Sequence, residues 1–99
     1  MQYSFADNDA TVELRGELTF VDHSVFRAMA ARLLQTKAPA AVIDLGCLDF
    51  IDSAGLGMLL LVRDEAKRAN RTLVLRHPVG QVKRIFDISK FETLFSVQP

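Results

Sequence analysis

The stretch LDFIDSAGLGMLLL, Leu48–Leu61, places a polar Asp-Ser pair between a β-type apolar run and a helical apolar run, just ahead of two glycines. Three chemistries could use such a string: phosphate binding by a glycine loop, attack by an activated serine, or modification of the serine itself. The first fails on spacing. Gly55-Leu56-Gly57 lacks the third glycine of a dinucleotide fingerprint, since position 60 is Leu, and no Gly-Lys-Ser/Thr occurs anywhere in the chain. The second fails on context. A hydrolase elbow wants glycine two residues before the serine, where Ile51 stands, and only His23 and His77 could serve as bases. Asp44, Asp49 and Asp52 lie close together in sequence, but without a His or a thiol cluster they make a poor transition-metal set. The sequence thus predicts no catalytic, cofactor-binding or metal-ligating residues, and a protein that is not an enzyme.

The serine remains. Ser53 falls at or beside the first turn of a long helix, where unpaired backbone N–H groups and the positive end of the dipole favour a hydroxyl oxygen or a phosphate. Its plainest role is an N-cap. A phosphate there would add roughly −1.5 to −2 charges beside Asp49 and Asp52 and repel a surface complementary to the unmodified loop.

The elements that position this serine follow from hydrophobic period. Tyr3–Ala6 and Thr11–Leu18 alternate as half-buried strands around an Asn8-Asp9 turn, which predicts an N-terminal hairpin. Asp22 is placed to cap a helix running to about Gln35, with Phe26, Met29, Ala30 and Leu33 on one face. Ala40–Leu45 is a short apolar run suited to a central strand. A helix is expected over 53–69, with Leu59, Val62, Ala66 and Ala69 in one stripe and Asn70 as its stop. Thr72–Arg76 reads as a buried strand, and Pro78 as the start of a further helix through Val82, Ile85 and Phe86. The remainder, FETLFSVQP, is expected only to dock. The order β-β-α-β-α-β-α points to an α/β sheet, with the site where residues 47–55 leave a strand's carboxyl end.

Composition narrows the classes. Ninety-nine residues with 49% hydrophobic content suit one folding unit, 1–99, and twelve basic residues balance twelve acidic ones. Nothing in that balance advertises DNA or an acidic membrane. Residues 1–52 carry eight acids and four bases while 53–99 carry four acids and eight bases, a polarity suited to a charged protein partner. No apolar stretch reaches the roughly 20 residues of a bilayer span and no signal-peptide pattern opens the chain, so a cytoplasmic location is expected. Cys47, the single cysteine, is expected to be a buried spacer, His77 a helix-start residue and His23 a first-turn surface residue.

VIDLGCLDFIDSAGLGMLLLVRDEAKRANRTLVL, Val42–Leu75, resembles the signature region of STAS domains, in particular the bacterial anti-sigma factor antagonists. Gly16–Phe20, GELTF, is similar to the family's Gly-Glu-Leu-Asp segment, and His77–Phe95 to its third helix and following turn. The resemblance implies a STAS fold: a mixed sheet of four to five strands with an N-terminal β-hairpin and helices packed on one face. It also implies partner switching. In that scheme the unphosphorylated antagonist binds an anti-sigma factor that is itself a serine kinase and so frees the sigma factor; phosphorylation abolishes binding, and a serine phosphatase restores it. Ser53 takes the phosphoacceptor position, and Phe20, Asp22, Asp52, Ser53, Ala54, Gly55, Leu56 and Met58 form the implied partner surface, with no direct nucleic-acid contact and no membrane insertion. Thr19 departs from the family by standing where many relatives carry an acid, so a charged contact of that loop is either absent or moved to Asp22. STAS domains also serve as subunits of lipid-transport ABC systems and as signalling scaffolds, and that alternative stays open at this stage.

Overall fold

A computed structural model describes all 99 residues. Five strands form one sheet in the order β1-β2-β3-β4-β5: β1 Gln2–Ala6, β2 Thr11–Leu18, β3 Ala40–Ile51, β4 Thr72–Arg76 and β5 Ser96–Gln98. β1 pairs antiparallel with β2, and every later neighbour is parallel. Helices α1 His23–Leu33, α2 Ser53–Arg68 and α3 Gly80–Ser89 make the three crossovers. Because each crossover steps to the next strand in the same direction, the right-handed rule sends all three helices to one face of the sheet. The burial pattern agrees. Val12, Leu14 and Leu18 of β2, Ile43, Leu45, Leu48 and Ile51 of β3, and Leu73 and Leu75 of β4 join one buried cluster with Phe26, Met29, Leu59, Val62, Val82 and Phe86 of the helices. The opposite face carries polar side chains in register, with Ser4 beside Glu13, Glu13 beside Asp44, Asp44 beside Arg76 and Arg76 beside Gln98.

The hairpin and β2 fall where hydrophobic alternation puts them, and β4 falls where the apolar run Thr72–Arg76 reads as a buried strand. β3 does not stop at Leu45 but runs to Ile51. Its buried positions are Ala41, Ile43, Leu45, Leu48 and Ile51, so the interval lengthens from two residues to three. The cause is a pair of register shifts against β2, between Glu13 and Arg15 and between Gly16 and Glu17, each setting one extra β3 residue against its partner. A strand with two bulges loses the period of two that would announce it. The first bulge also turns Gly46 and Cys47 outward, so Cys47 is exposed and not the buried spacer its residue type suggests.

The tail is more than a docking segment. Phe91 stacks between Phe86 and Phe95, with ring centroids 4.9 Å from each, which delivers Ser96–Gln98 to β4 as a fifth strand. His77 is not in a helix: it adopts φ 61° between β4 and α3, and its N–H donates to the Gln98 carbonyl at 2.8 Å.

Candidate functional site

β2 and β3 end side by side, and the segment after β4 comes up against the end of β3. β3 outruns β4, whose register with it ends at Asp44–Arg76. Gln81 of α3 then takes the place of a strand neighbour: its Oε1 accepts from the Ile51 N–H and its Nε2 donates to the Ile51 carbonyl, both at 3.0 Å. On the other side, the Asp52 N–H donates to the Leu18 carbonyl at 3.3 Å. The chain is thus held from two sides immediately before Ser53.

The cap of α2 is Asp52, not Ser53. Asp52 is extended (φ −101°, ψ −179°) and its Oδ1 accepts from the Gly55 N–H at 2.8 Å, the geometry of an N-cap. Its Oδ2 accepts from the Phe20 N–H at 3.3 Å, so one carboxylate ties the first turn of α2 to the segment leaving β2. Ser53 is the first residue of the helix and exposed, with its hydroxyl engaged by no protein group.

The segment leaving β2 is a single 3-10 turn, Phe20–Asp22, ahead of α1. Asp22 stands at the cap position of α1 but turns its side chain back: Oδ2 accepts from the Thr19 N–H and Oδ1 from the Met1 ammonium, both at 2.9 Å. Partial burial pushes this carboxyl up, but the Thr19 amide and the ammonium outweigh it and hold the group below its ordinary value. The turn leaves Phe20 65% and Val21 83% exposed, with the Phe20 ring stacked on His23.

The residues singled out from sequence divide into two groups. Phe20, Asp22, Asp52, Ser53 and Ala54 come together at the ends of β2 and β3. Gly55, Leu56 and Met58 belong mainly to the helix's inner side: Gly55 is buried, Met58 joins the core, and Leu56 packs against it half-buried. Met58 and Ala54 also line a groove of about 490 Å³ between α1 and α2, with Phe20, Phe26, Ala30 and Leu61. Other apolar residues that the motif did not reveal are exposed: Val21, Phe50, Leu61, which lines the groove, and Val79. Phe50 was recoverable, because an inward Ile51 in a strand requires an outward neighbour. Gln81 carried no sequence signal, since its partner is a backbone 30 residues away.

Chemically, the site offers a free hydroxyl on a helix's first turn, next to the capping carboxylate of Asp52. His23 bonds only with Ser24, and His77 faces Asp44 at 3.6 Å, so neither histidine is engaged with Ser53. No group of three His, Cys, Asp or Glu side chains is placed to hold a metal.

Comparison with known proteins bears on the family and the fold. A family model described as Mlab, STAS domain matches residues 1–97. A STAS-domain-containing protein of Pseudomonas aeruginosa is 36% identical over 89 residues, spanning 90% of this chain and 87% of the relative. The Bordetella bronchiseptica protein BtrV, assigned as an anti-sigma factor antagonist, is 33% identical over 84 residues, spanning 85% and 72%. In three dimensions the fold matches the crystal structure of an anti-sigma factor antagonist from Mycobacterium paratuberculosis with a TM-score of 0.79 at 24% identity, over 99% of this chain and 85% of that one.

Proposed function

The chain belongs to the STAS-domain family of anti-sigma factor antagonists, and from that premise we propose that it is a binding module switched by phosphorylation of Ser53. Domains of this family are not enzymes. The unmodified protein binds an anti-sigma factor that is also a serine kinase, releasing a sigma factor; the phosphorylated protein does not bind, and a phosphatase resets it. No helix is long and apolar enough to cross a membrane.

One observation carries the reading. Ser53 is exposed and unbonded at the first turn of α2 while Asp52 does the capping. A purely structural subunit would need a serine here only as a cap, and that role is already filled. Beside Ser53, the exposed Phe20 and the groove between α1 and α2 that it lines with Ala54 offer the apolar area on which a protein partner docks. A phosphate on Ser53 sets a charge of roughly −2 beside Asp52 and next to that area, where an apolar or acidic partner surface is repelled.

The test is phosphorylation in vitro. Incubation with purified serine-kinase anti-sigma factors and ATP should add one phosphate located to Ser53 by mass spectrometry, and none to Ser53→Ala. Phosphate placed on another residue, or incorporated with ATP alone, contradicts the proposal.

A further inference from the structure

We infer that Asp52 is a positioning residue that transmits the charge state of Ser53 to the Phe20–Val21 turn, so that phosphorylation alters a surface the phosphate itself does not occupy. The inference rests on the reading of Ser53 as the modified residue.

Its basis is the double duty of one carboxylate. Oδ1 of Asp52 holds the Gly55 N–H at 2.8 Å, while Oδ2 holds the Phe20 N–H at 3.3 Å across 32 residues of sequence. The two bonds are unequal. The first is short, part-buried and inside the helix cap; the second is long and exposed. Backbone pairing of Asp52 with Leu18 holds the strand ends together whichever way the side chain points. The turn itself is closed by the Asp22 N–H to the Thr19 carbonyl and by Asp22 Oδ2 to the Thr19 N–H, both at 2.9 Å. Its tie to the helix that carries Ser53 is the Phe20–Asp52 bond, which fixes where the exposed Phe20 and Val21 stand relative to that serine.

A phosphate on Ser53 lies one residue from this carboxylate. It competes for the unpaired N–H groups of the first helical turn and repels a like charge beside it. Asp52 can lower that repulsion by giving up its weaker contact, the one to Phe20, while keeping the cap. The turn 19–22 then loses its tether to α2. A partner that reads Phe20 and Val21 would sense the modification without touching the phosphate.

The experiment needs no partner. Phosphoserine is installed at position 53 of the full chain by genetic encoding, and amide exchange is measured residue by residue by NMR. The Phe20 amide should exchange several-fold to about tenfold faster in the phosphoprotein, the effect of losing one hydrogen bond of ordinary strength. The Gly55 amide should keep its rate. Asp52→Asn keeps an oxygen for Gly55 but turns an NH2 group toward Phe20, so in that variant Phe20 should exchange fast with serine and phosphoserine alike. Equal Phe20 rates in unmodified and phosphorylated protein overturn the inference, as does a phosphate-dependent change that persists in Asp52→Asn. Because the phosphoserine is installed without a kinase, a flat Phe20 response in a chain that kinases do modify at Ser53 removes the relay and leaves the switch. A clear response in a chain that no kinase modifies removes the switch and leaves the relay.

Discussion

A β-carbon on Gly55 would lie 2.6 Å from the Leu18 carbonyl oxygen, so the helix that carries Ser53 packs its backbone directly on the end of β2. The same atom would meet Ile51 Cγ1 at 2.6 Å, and Gly57, two residues on, meets nothing within 4 Å. The two glycines that imitate a phosphate loop therefore have different physical roles. Gly55 sets the distance between α2 and the sheet; Gly57 is an ordinary interior position of a helix.

That difference is measurable. Gly55→Ala should destabilise the fold by about 1–3 kcal/mol, because the collision is with backbone that cannot move aside cheaply. Gly57→Ala should stabilise it by about 0.5–1 kcal/mol through helix propensity. Urea denaturation of both variants checks the opposite signs.

Capping gives a second contrast. Asp52→Ala removes the bond to Gly55 and should cost about 0.5–2 kcal/mol, whereas Ser53→Ala removes no hydrogen bond within the protein and should stay within about 0.5 kcal/mol of the parent. Thermal or chemical denaturation of the pair would show whether the serine is structurally dispensable, as a switch residue can be.

Gln81 offers a third. Its carboxamide stands in for a missing strand along Ile51, with two bonds at 3.0 Å. Gln81→Ala should cost about 1–3 kcal/mol, at about 0.5–1.5 kcal/mol per bond. Amide exchange at Ile51 should rise with it.

Asp22 makes the stability depend on pH in a definite direction. Its carboxyl is held below the ordinary 3.8 in the folded protein. A depressed folded-state value means that the unfolded chain takes up the proton first, so the contribution is complete above 3.8 and is lost as pH falls through the lower folded value. The stability gap between parent and Asp22→Asn should be constant from pH 6 down to about 5 and narrow below about 4. A gap that widens on acidification would contradict the hydrogen-bond pattern of the turn.

The parts of this architecture that could be read in the sequence are those in which period survives. β2 keeps Val12, Leu14 and Leu18 inward and α2 keeps its stripe of Leu59, Val62 and Ala66, while β4 is legible as a short buried apolar run, Leu73–Leu75, so their limits were legible to within a residue. The second half of β3 was not, because two bulges replaced alternation with intervals of three. Ser53 itself stood out by residue type and place. Its surroundings did not, since the Phe20–Asp52 and Ile51–Gln81 bonds join backbone to side chain over 32 and 30 residues and leave no local pattern. The cap was misassigned by one position for a related reason: both Asp and Ser are good N-caps, and only the extended backbone of Asp52 decides between them.

The central claim is that charge on Ser53 turns partner binding off, and titration calorimetry tests it most directly. Unmodified protein, Ser53→Asp and Ser53-phosphorylated protein would each be titrated against the serine-kinase anti-sigma factor that modifies the chain. A carboxylate supplies about one charge and fewer acceptor oxygens than a phosphate, so affinity should fall in that order, with circular dichroism unchanged. Equal affinity in all three forms would contradict the claim and reduce Ser53 to an exposed helix-start residue without a switching role.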